Sequence, residues 1–183
     1  MSKVEFLSST NDVDFNIKIK PSKKKASKPR NYGKEFESKI SAINKIYESE
    51  NKAYIFKTFP EAIIIKNGSK IVTATYKDKA ELDYFGILAN GKTFTLEAKS
   101  SSGKSFPLSN IKSHQLETAS KISKYVSYTL FIIEMRDYNE VYLLHWEDID
   151  NFIRDNKRKS LPIDFLREYG IMILGYEYIK HLR

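Results

Sequence analysis

Cysteine is absent from the 183-residue chain, which excludes a disulfide framework and any thiolate metal site and makes a reducing cytoplasm the expected setting. No apolar run approaches the roughly 20 residues that span a bilayer, and Val4 to Leu7 is too interrupted to serve as a secretory signal. No membrane association is expected. Acidic residues are missing between Lys18 and Arg30, where Lys18, Lys20, Lys23, Lys24, Lys25, Lys28 and Arg30 follow one another. Pro21 and Pro29, with Ser22 and Ser27, oppose a stable helix there, so residues 1–30 read as a flexible basic arm. Such an arm either adds salt-sensitive phosphate contacts without sequence preference or only aids solubility. The formal charge of +8 favours a polyanionic partner. No internal repeat or second domain is visible, and residues 31–183 are long enough for a single domain with its own core.

What is present is concentrated between Glu81 and Gln115. Thr93 to Lys99 reads as a strand, so Phe94, Leu96 and Ala98 point one way and Thr93, Thr95, Glu97 and Lys99 the other. Glu97 and Lys99 then share a face, either as a weak surface pair or as part of a site. Upstream, Asp83 stands among Leu82, Tyr84, Phe85, Ile87 and Leu88, and a carboxylate in an apolar strand needs a partner. Gly86 and Asn90-Gly91 supply irregular backbone and a turn. If the two segments pair through that turn, Asp83 and Glu97 come together, an arrangement that is stable around a hard cation such as magnesium. A helix expected from Ser109 to about Tyr125 carries Ile111, Ala119, Ile122 and Val126 on one stripe, and Gln115 falls on the same stripe. Its amide is either tucked at the edge of the core or hydrogen-bonded to the carboxylate cluster or its water.

Around this centre, Phe36, Ile40, Ile43 and Tyr47 mark a helix from about Tyr32 to Glu50, with Glu37 near its apolar face. Glu37 serves either the helix dipole or the site. Tyr54 to Thr58 reads as a strand ended by Pro60. Ala62 to Ile65 and Ile71 to Tyr76 flank Asn67-Gly68, a strong hairpin signal for about residues 61–79. The hairpin tip would carry Lys66 and Lys70, with Lys57 nearby. Ser100 to Lys104 is a flexible basic run suited to a phosphate backbone, and His114 is either a phosphate donor or a structural residue. Tyr128 to Glu134 reads as a buried central strand, followed by a turn at Asp137-Tyr138-Asn139 and a pairing strand from Glu140 to His145. Trp146 to Asp155 and Pro162 to Tyr169 are helical, with the basic cluster Lys157 to Lys159 between them, and Ile171 to Leu174 is a last apolar run.

Asp83, then Glu97-Ala98-Lys99, then Gln115 on the following helix resembles the PD-(D/E)XK nuclease pattern. The longer string Glu97-Ala98-Lys99, Ser105-Phe106-Pro107-Leu108, Asn110 and His114-Gln115 resembles the RecU family of Holliday junction resolvases more narrowly, from roughly Asn31 to the C-terminus. The resemblance implies an α/β fold with a restriction-endonuclease-like core, a mixed central β-sheet flanked by helices, and the Asn67-Gly68 hairpin as a projecting stalk that enters a four-way junction. It implies a homodimeric endonuclease that cuts branched DNA in recombination and repair, dependent on Mg2+ with Mn2+ as a substitute. Asp83 and Glu97 fall at its metal-ligand positions. Lys99 falls where a lysine stabilises the phosphorus or orients water, Gln115 where an amide fixes that water or the phosphate, and Glu37 at a secondary acid. Lys57, Lys66, Lys70, Lys104, Arg30 and His114 are the expected DNA contacts. Leu82 stands where the motif has Pro or Thr, and Tyr32 where the family has Arg, so a phosphate contact there is absent or passes to Arg30. Pro60 to Asp83 is shorter than in typical members, which bears on the reach of the stalk. Two other functions fit the same residues: a general PD-(D/E)XK endonuclease of linear duplex, and a non-catalytic architectural protein that binds junctions.

Overall fold

A computed structural model describes residues 30–59, 62–76 and 82–182. The expected basic arm, residues 1–29, lies outside the described residues, as do residues 61 and 77–79 at the ends of the expected stalk. Asn31–Arg183 form one compact unit. Its elements run α1 (Tyr32–Ser49), β1 (Ala53–Lys57), β2 (Ala62–Asn67), β3 (Lys70–Tyr76), β4 (Tyr84–Leu88), β5 (Thr93–Ser101), β6 (Ser105–Pro107), α2 (Ser113–Ile122), β7 (Tyr128–Met135), β8 (Glu140–His145), α3 (Trp146–Asp155), β9 (Ser160–Pro162), α4 (Ile163–Tyr169) and β10 (Ile171–Met172).

Six strands make a mixed sheet in the order β1-β4-β5-β7-β8-β10, in which β5 and β7 are parallel and the other described pairs antiparallel. A parallel pair needs a long crossover, and the segment carrying α2 supplies it. The uninterrupted apolar run of β7 follows from cover on both faces. Leu130 and Ile132 join Phe94, Leu96 and Ala98 of β5 against Phe36, Ile40 and Tyr47 of α1. Phe131, Ile133 and Met135 face the other way, with Ala119 of α2, Trp146 and Ile149 of α3, and Leu166 of α4. Each fully buried large apolar side chain contributes about 1.5–3 kcal/mol of transfer free energy, which is why this sheet holds its shape around the polar residues set into it.

The β4–β5 hairpin positions the acidic residues. Gly91 takes φ 83°, a left-handed conformation suited to glycine, and Asn90 Oδ1 accepts the Lys92 N–H at 3.1 Å, so the turn is self-bonded. Register then runs from Tyr84 opposite Leu96 to Ile87 opposite Thr93. Gly86 differs from expectation: it sits in regular strand, and a β-carbon there would come within 2.3 Å of the Phe94 ring. Its missing side chain makes room for that ring.

Three further differences from the sequence reading have local causes. The helix expected from Ser109 starts at Ser113, because Leu108–Asn110 forms a 3-10 turn and Ile111 is extended. Strand β5 continues past Lys99 to Ser101, since its parallel partner β7 supplies bonds that far. Strands β6 and β9 pair with each other in tripeptides too short to show a period. Strands β2 and β3 form the expected hairpin, with Asn67 opposite Lys70, as a two-stranded sheet of their own.

Candidate active site

One step beyond the β4–β5 register, Asp83 falls opposite Glu97. The Asp83 N–H donates to Glu97 Oε2 at 3.1 Å, and the Ala98 N–H donates to Asp83 Oδ2 at 2.9 Å, so each carboxylate is anchored to the other's strand. Glu97 has 0% exposure, which removes the reading of Glu97 and Lys99 as a solvated surface pair. Its Oε1 receives Lys99 Nζ at 2.5 Å and Gln115 Nε2 at 2.5 Å. Gln115 Oε1 accepts the Lys112 N–H at the start of α2, at 3.0 Å, and this second bond fixes which way the amide is turned. The polar residue in the apolar stripe of α2 is thus bonded to the carboxylate cluster.

Burial pushes the Glu97 carboxyl up to about 7; the neighbouring Asp83 adds to the rise and Lys99 opposes it. Burial also raises Asp83, against the bond from the Ala98 amide, and the charge of Glu37 raises it further. Two adjacent acids held above their ordinary range are short of positive charge, and their hard oxygen donors suit a hard divalent cation. Among the described residues no group of three or more His, Cys, Asp and Glu side chains converges as a metal cage. A pair of carboxylates is compatible with the habit of Mg2+ to take one or two carboxylates and fill the rest with water and phosphate.

Glu37 and Lys57 complete the cluster. Lys57 Nζ lies 2.6 Å from Glu37 Oε2 and 5.7 Å from the centre of the Tyr84 ring. The Tyr84 O–H is 3.0 Å from the Glu37 carbonyl and 2.8 Å from Ser41 Oγ. Glu37 lies past the first turn of α1, where Glu35 is the acid, so the helix dipole does not account for it. Lys57, expected near the hairpin tip, is instead half-buried on β1 beside the acids; burial lowers its pKa, but the bond and charge of Glu37 prevail and raise it.

The remaining expected contacts are scattered. Lys66 is exposed at the β2–β3 turn, Lys104 is exposed after β5, Arg30 is exposed, and the side chain of Lys70 lies outside the described residues. His114 is half-buried in the first turn of α2 and makes no hydrogen bond or ion pair with the carboxylates among the described residues.

A second polar network was missed in the sequence. Ser100 Oγ donates to Glu134 Oε2 at 2.6 Å and accepts from Arg136 Nη1 at 2.8 Å. Lys39 Nζ lies 3.3 Å from Glu134 Oε1 and 2.7 Å from the Tyr176 hydroxyl. The Arg136 guanidinium lies 4.4 Å from the centre of the Tyr32 ring. Glu134-Met135-Arg136, closing a buried apolar run, signals where β7 leaves the core. Nothing in the sequence ties those residues to Ser100, because that contact comes from the parallel β5–β7 register.

The family model described as Recombination protein U, RecU, matches residues 31–182. The chain is similar to proteins described as Holliday junction resolvase RecU from two strains of Streptococcus pneumoniae. One is 29% identical over 174 residues and the other 28% over 174 residues, and each match covers 88% of this chain and 87% of the relative. Among solved structures it is similar to Archaeoglobus fulgidus Hjc, described as a Holliday junction resolvase from an archaeal hyperthermophile, with a TM-score of 0.44 and 8% identity over 76% of this chain and 95% of that one.

Proposed function

The chain belongs to the RecU family, and from that membership we propose that it is a Holliday junction resolvase, an endonuclease that cuts four-way DNA junctions by phosphodiester hydrolysis. The observation that carries the catalytic part is the cross-strand pair Asp83–Glu97 with Lys99 and Gln115 both on Glu97 Oε1.

A phosphodiester resists hydrolysis because the nucleophile must approach an anion while the leaving oxygen gains charge. Asp83 and Glu97 would hold Mg2+, or Mn2+ in its place, which when bound makes water more acidic and offsets charge on the phosphate. Lys99 has three donors and no acceptor, and it sets positive charge against a phosphoryl oxygen or orients the attacking water. Gln115 keeps Glu97 in register through its Nε2 and gives the water or phosphate a fixed neighbour. Glu37 holds the Lys57 ammonium beside Asp83, where it adds a cation to a site that must receive an anion. Residues 31–183 make up the nuclease domain, and residues 1–30 a basic arm that adds phosphate contacts.

Two strands of a four-way junction must be cut, so two such sites are needed, and a homodimer supplies them. Support comes from the face of β1 and β4 turned away from α1, where Tyr54, Phe56 and Ile87 are 59%, 46% and 41% exposed and Phe56 packs on Phe85 with ring centres 5.4 Å apart. Exposed aromatic side chains grouped on one sheet face mark an association surface.

The test is cleavage of labelled four-way junction and linear duplex, each with and without Mg2+, by the natural chain and by Asp83→Asn. Cleavage by the variant should fall about 10³-fold or more, several kcal/mol of lost charge stabilisation, while junction binding survives. Equal cleavage by the variant removes Asp83 from the site. Equal cutting of linear duplex makes the protein a general endonuclease, and binding without cutting makes it architectural.

A further inference from the structure

Where β5 and β7 leave the core, a second set of charges is fixed on the opposite face of β5 from Glu97. Glu134, whose side chain is 13% exposed, accepts from Lys39 and from Ser100. One carboxylate therefore faces two cations, Lys39 and Arg136, and a hydroxyl stands between it and the second. Of the two cations, Arg136 is the one that touches no carboxylate among the described residues.

The setting of Arg136 differs from that of a buried structural arginine. Its guanidinium has five N–H donors, and among the described residues its one hydrogen bond goes to Ser100. The guanidinium carbon lies over the Tyr32 ring, a contact that limits its rotation. A planar cation held against an aromatic ring, with donors to spare, is prepared for bidentate recognition of a phosphate. Asp137 Oδ2 accepts the Gly103 N–H at 2.8 Å, so the loop carrying Lys104 is tied to the turn that carries Arg136. Ser100 lies three residues beyond Glu97 on β5, about 10 Å at 3.3 Å per residue. Because Ser100 is on the other face, a DNA strand with its cut bond at the carboxylate pair reaches it by passing round the end of β5, which lies one residue further on at Ser101.

We propose that Arg136, held over the Tyr32 ring and bonded to Ser100, forms a phosphate-binding subsite that holds the DNA strand a few nucleotides from the bond being cut. Arg136 is a positioning residue in this arrangement, since it sets where the strand lies and touches no reacting atom. The inference rests on the reading that DNA is the substrate.

The experiment uses the full chain, a labelled four-way junction and a chelator, with affinity measured between 50 and 200 mM salt for the natural protein, Arg136→Gln, Arg136→Lys and Tyr32→Leu. Losing one phosphate contact should lower the slope of log affinity against log salt by about 0.9 in Arg136→Gln. Arg136→Lys should keep the slope and bind more weakly, because it retains charge without the planar fork. Tyr32→Leu, at an exposed position, should do the same and keeps the test open if Arg136→Gln does not fold. With Mg2+ added, the cut positions on an end-labelled strand should spread in Arg136→Gln. An unchanged slope and an unchanged cut pattern in a folded Arg136→Gln overturn the subsite and leave the nuclease reading intact. Failure of the natural protein to bind the junction overturns both.

Discussion

Replacing Glu97 with glutamine should stabilise the cation-free protein at pH 8, although it destroys the site. Glu97 has 0% exposure, and burial together with Asp83 lifts its carboxyl from 4.5 to about 7. The folded state holds this proton more tightly than the unfolded state, so the group penalises folding once it ionises. Stability is undiminished below about pH 4.5 and falls as pH rises through the window from 4.5 to about 7, the reverse of the behaviour of an ordinary paired carboxylate. At about 1.4 kcal/mol per pH unit, full ionisation costs on the order of 3 kcal/mol. A glutamine oxygen can still accept from both Lys99 and Gln115, but its NH2 replaces Glu97 Oε2 and leaves the Asp83 N–H without that acceptor, which returns about 1 kcal/mol. The net gain of about 2 kcal/mol at pH 8 corresponds to a rise in Tm of about 4–8 °C for a chain of this size. Thermal unfolding with a chelator at pH 5 and pH 8 measures it: Glu97→Gln should match or trail the natural protein at pH 5 and exceed it at pH 8. Addition of Mg2+ at pH 8 should stabilise the natural protein and leave the variant unmoved. A variant that is less stable than the natural protein at pH 8, or follows the same pH slope, refutes the account of Glu97 as a buried acid waiting for a cation.

Two further outcomes probe the surroundings of the site. Removing the Lys66 to Lys70 tip should bring the preference for four-way junction over linear duplex down to within about 2-fold, read by competition binding; an unchanged preference would reduce the β2–β3 hairpin to a simple edge element. Phe56→Glu should weaken self-association by about 30-fold or more, roughly 2 kcal/mol for an ionised group pressed into an apolar contact, with sedimentation as the readout and loss of paired incisions as its consequence. Undisturbed association would move the interface to another face.

Much of the sheet and its helices was legible in the sequence because periodicity reports burial. Phe36, Ile40 and Tyr47 fall on the buried side of α1 as their spacing indicates, and the unbroken apolar run in β7 corresponds to a strand covered on both faces. The start of α2 was misplaced because Ser109 has cap chemistry, yet Leu108–Asn110 turns too tightly to continue as an α-helix. Gly86 was misread as irregular backbone because the steric need for it comes from the Phe94 ring on the next strand. The candidate site followed the same division. Asp83, Glu97, Lys99 and Gln115 could be named from order and spacing, whereas the 2.6 Å pairing of Glu37 with Lys57 could not, since α1 and β1 meet only through the packed core.

The sequence by itself determined which groups meet at the candidate site: two carboxylates, a lysine two residues beyond the second, and an amide on the next helix. Local rules suffice for that, because turn chemistry at Asn90-Gly91 sets a hairpin register and strand alternation puts Glu97 and Lys99 on one side. Only the tertiary structure decided that Glu97 is wholly buried and raised to about 7, and that Lys57 belongs to the acidic cluster. It alone placed Arg136 across Tyr32, more than a hundred residues earlier in the chain. Burial and long-range contact depend on which faces pack together, and that is settled by the parallel joining of β5 and β7 beneath α1, far beyond the reach of any sequence window.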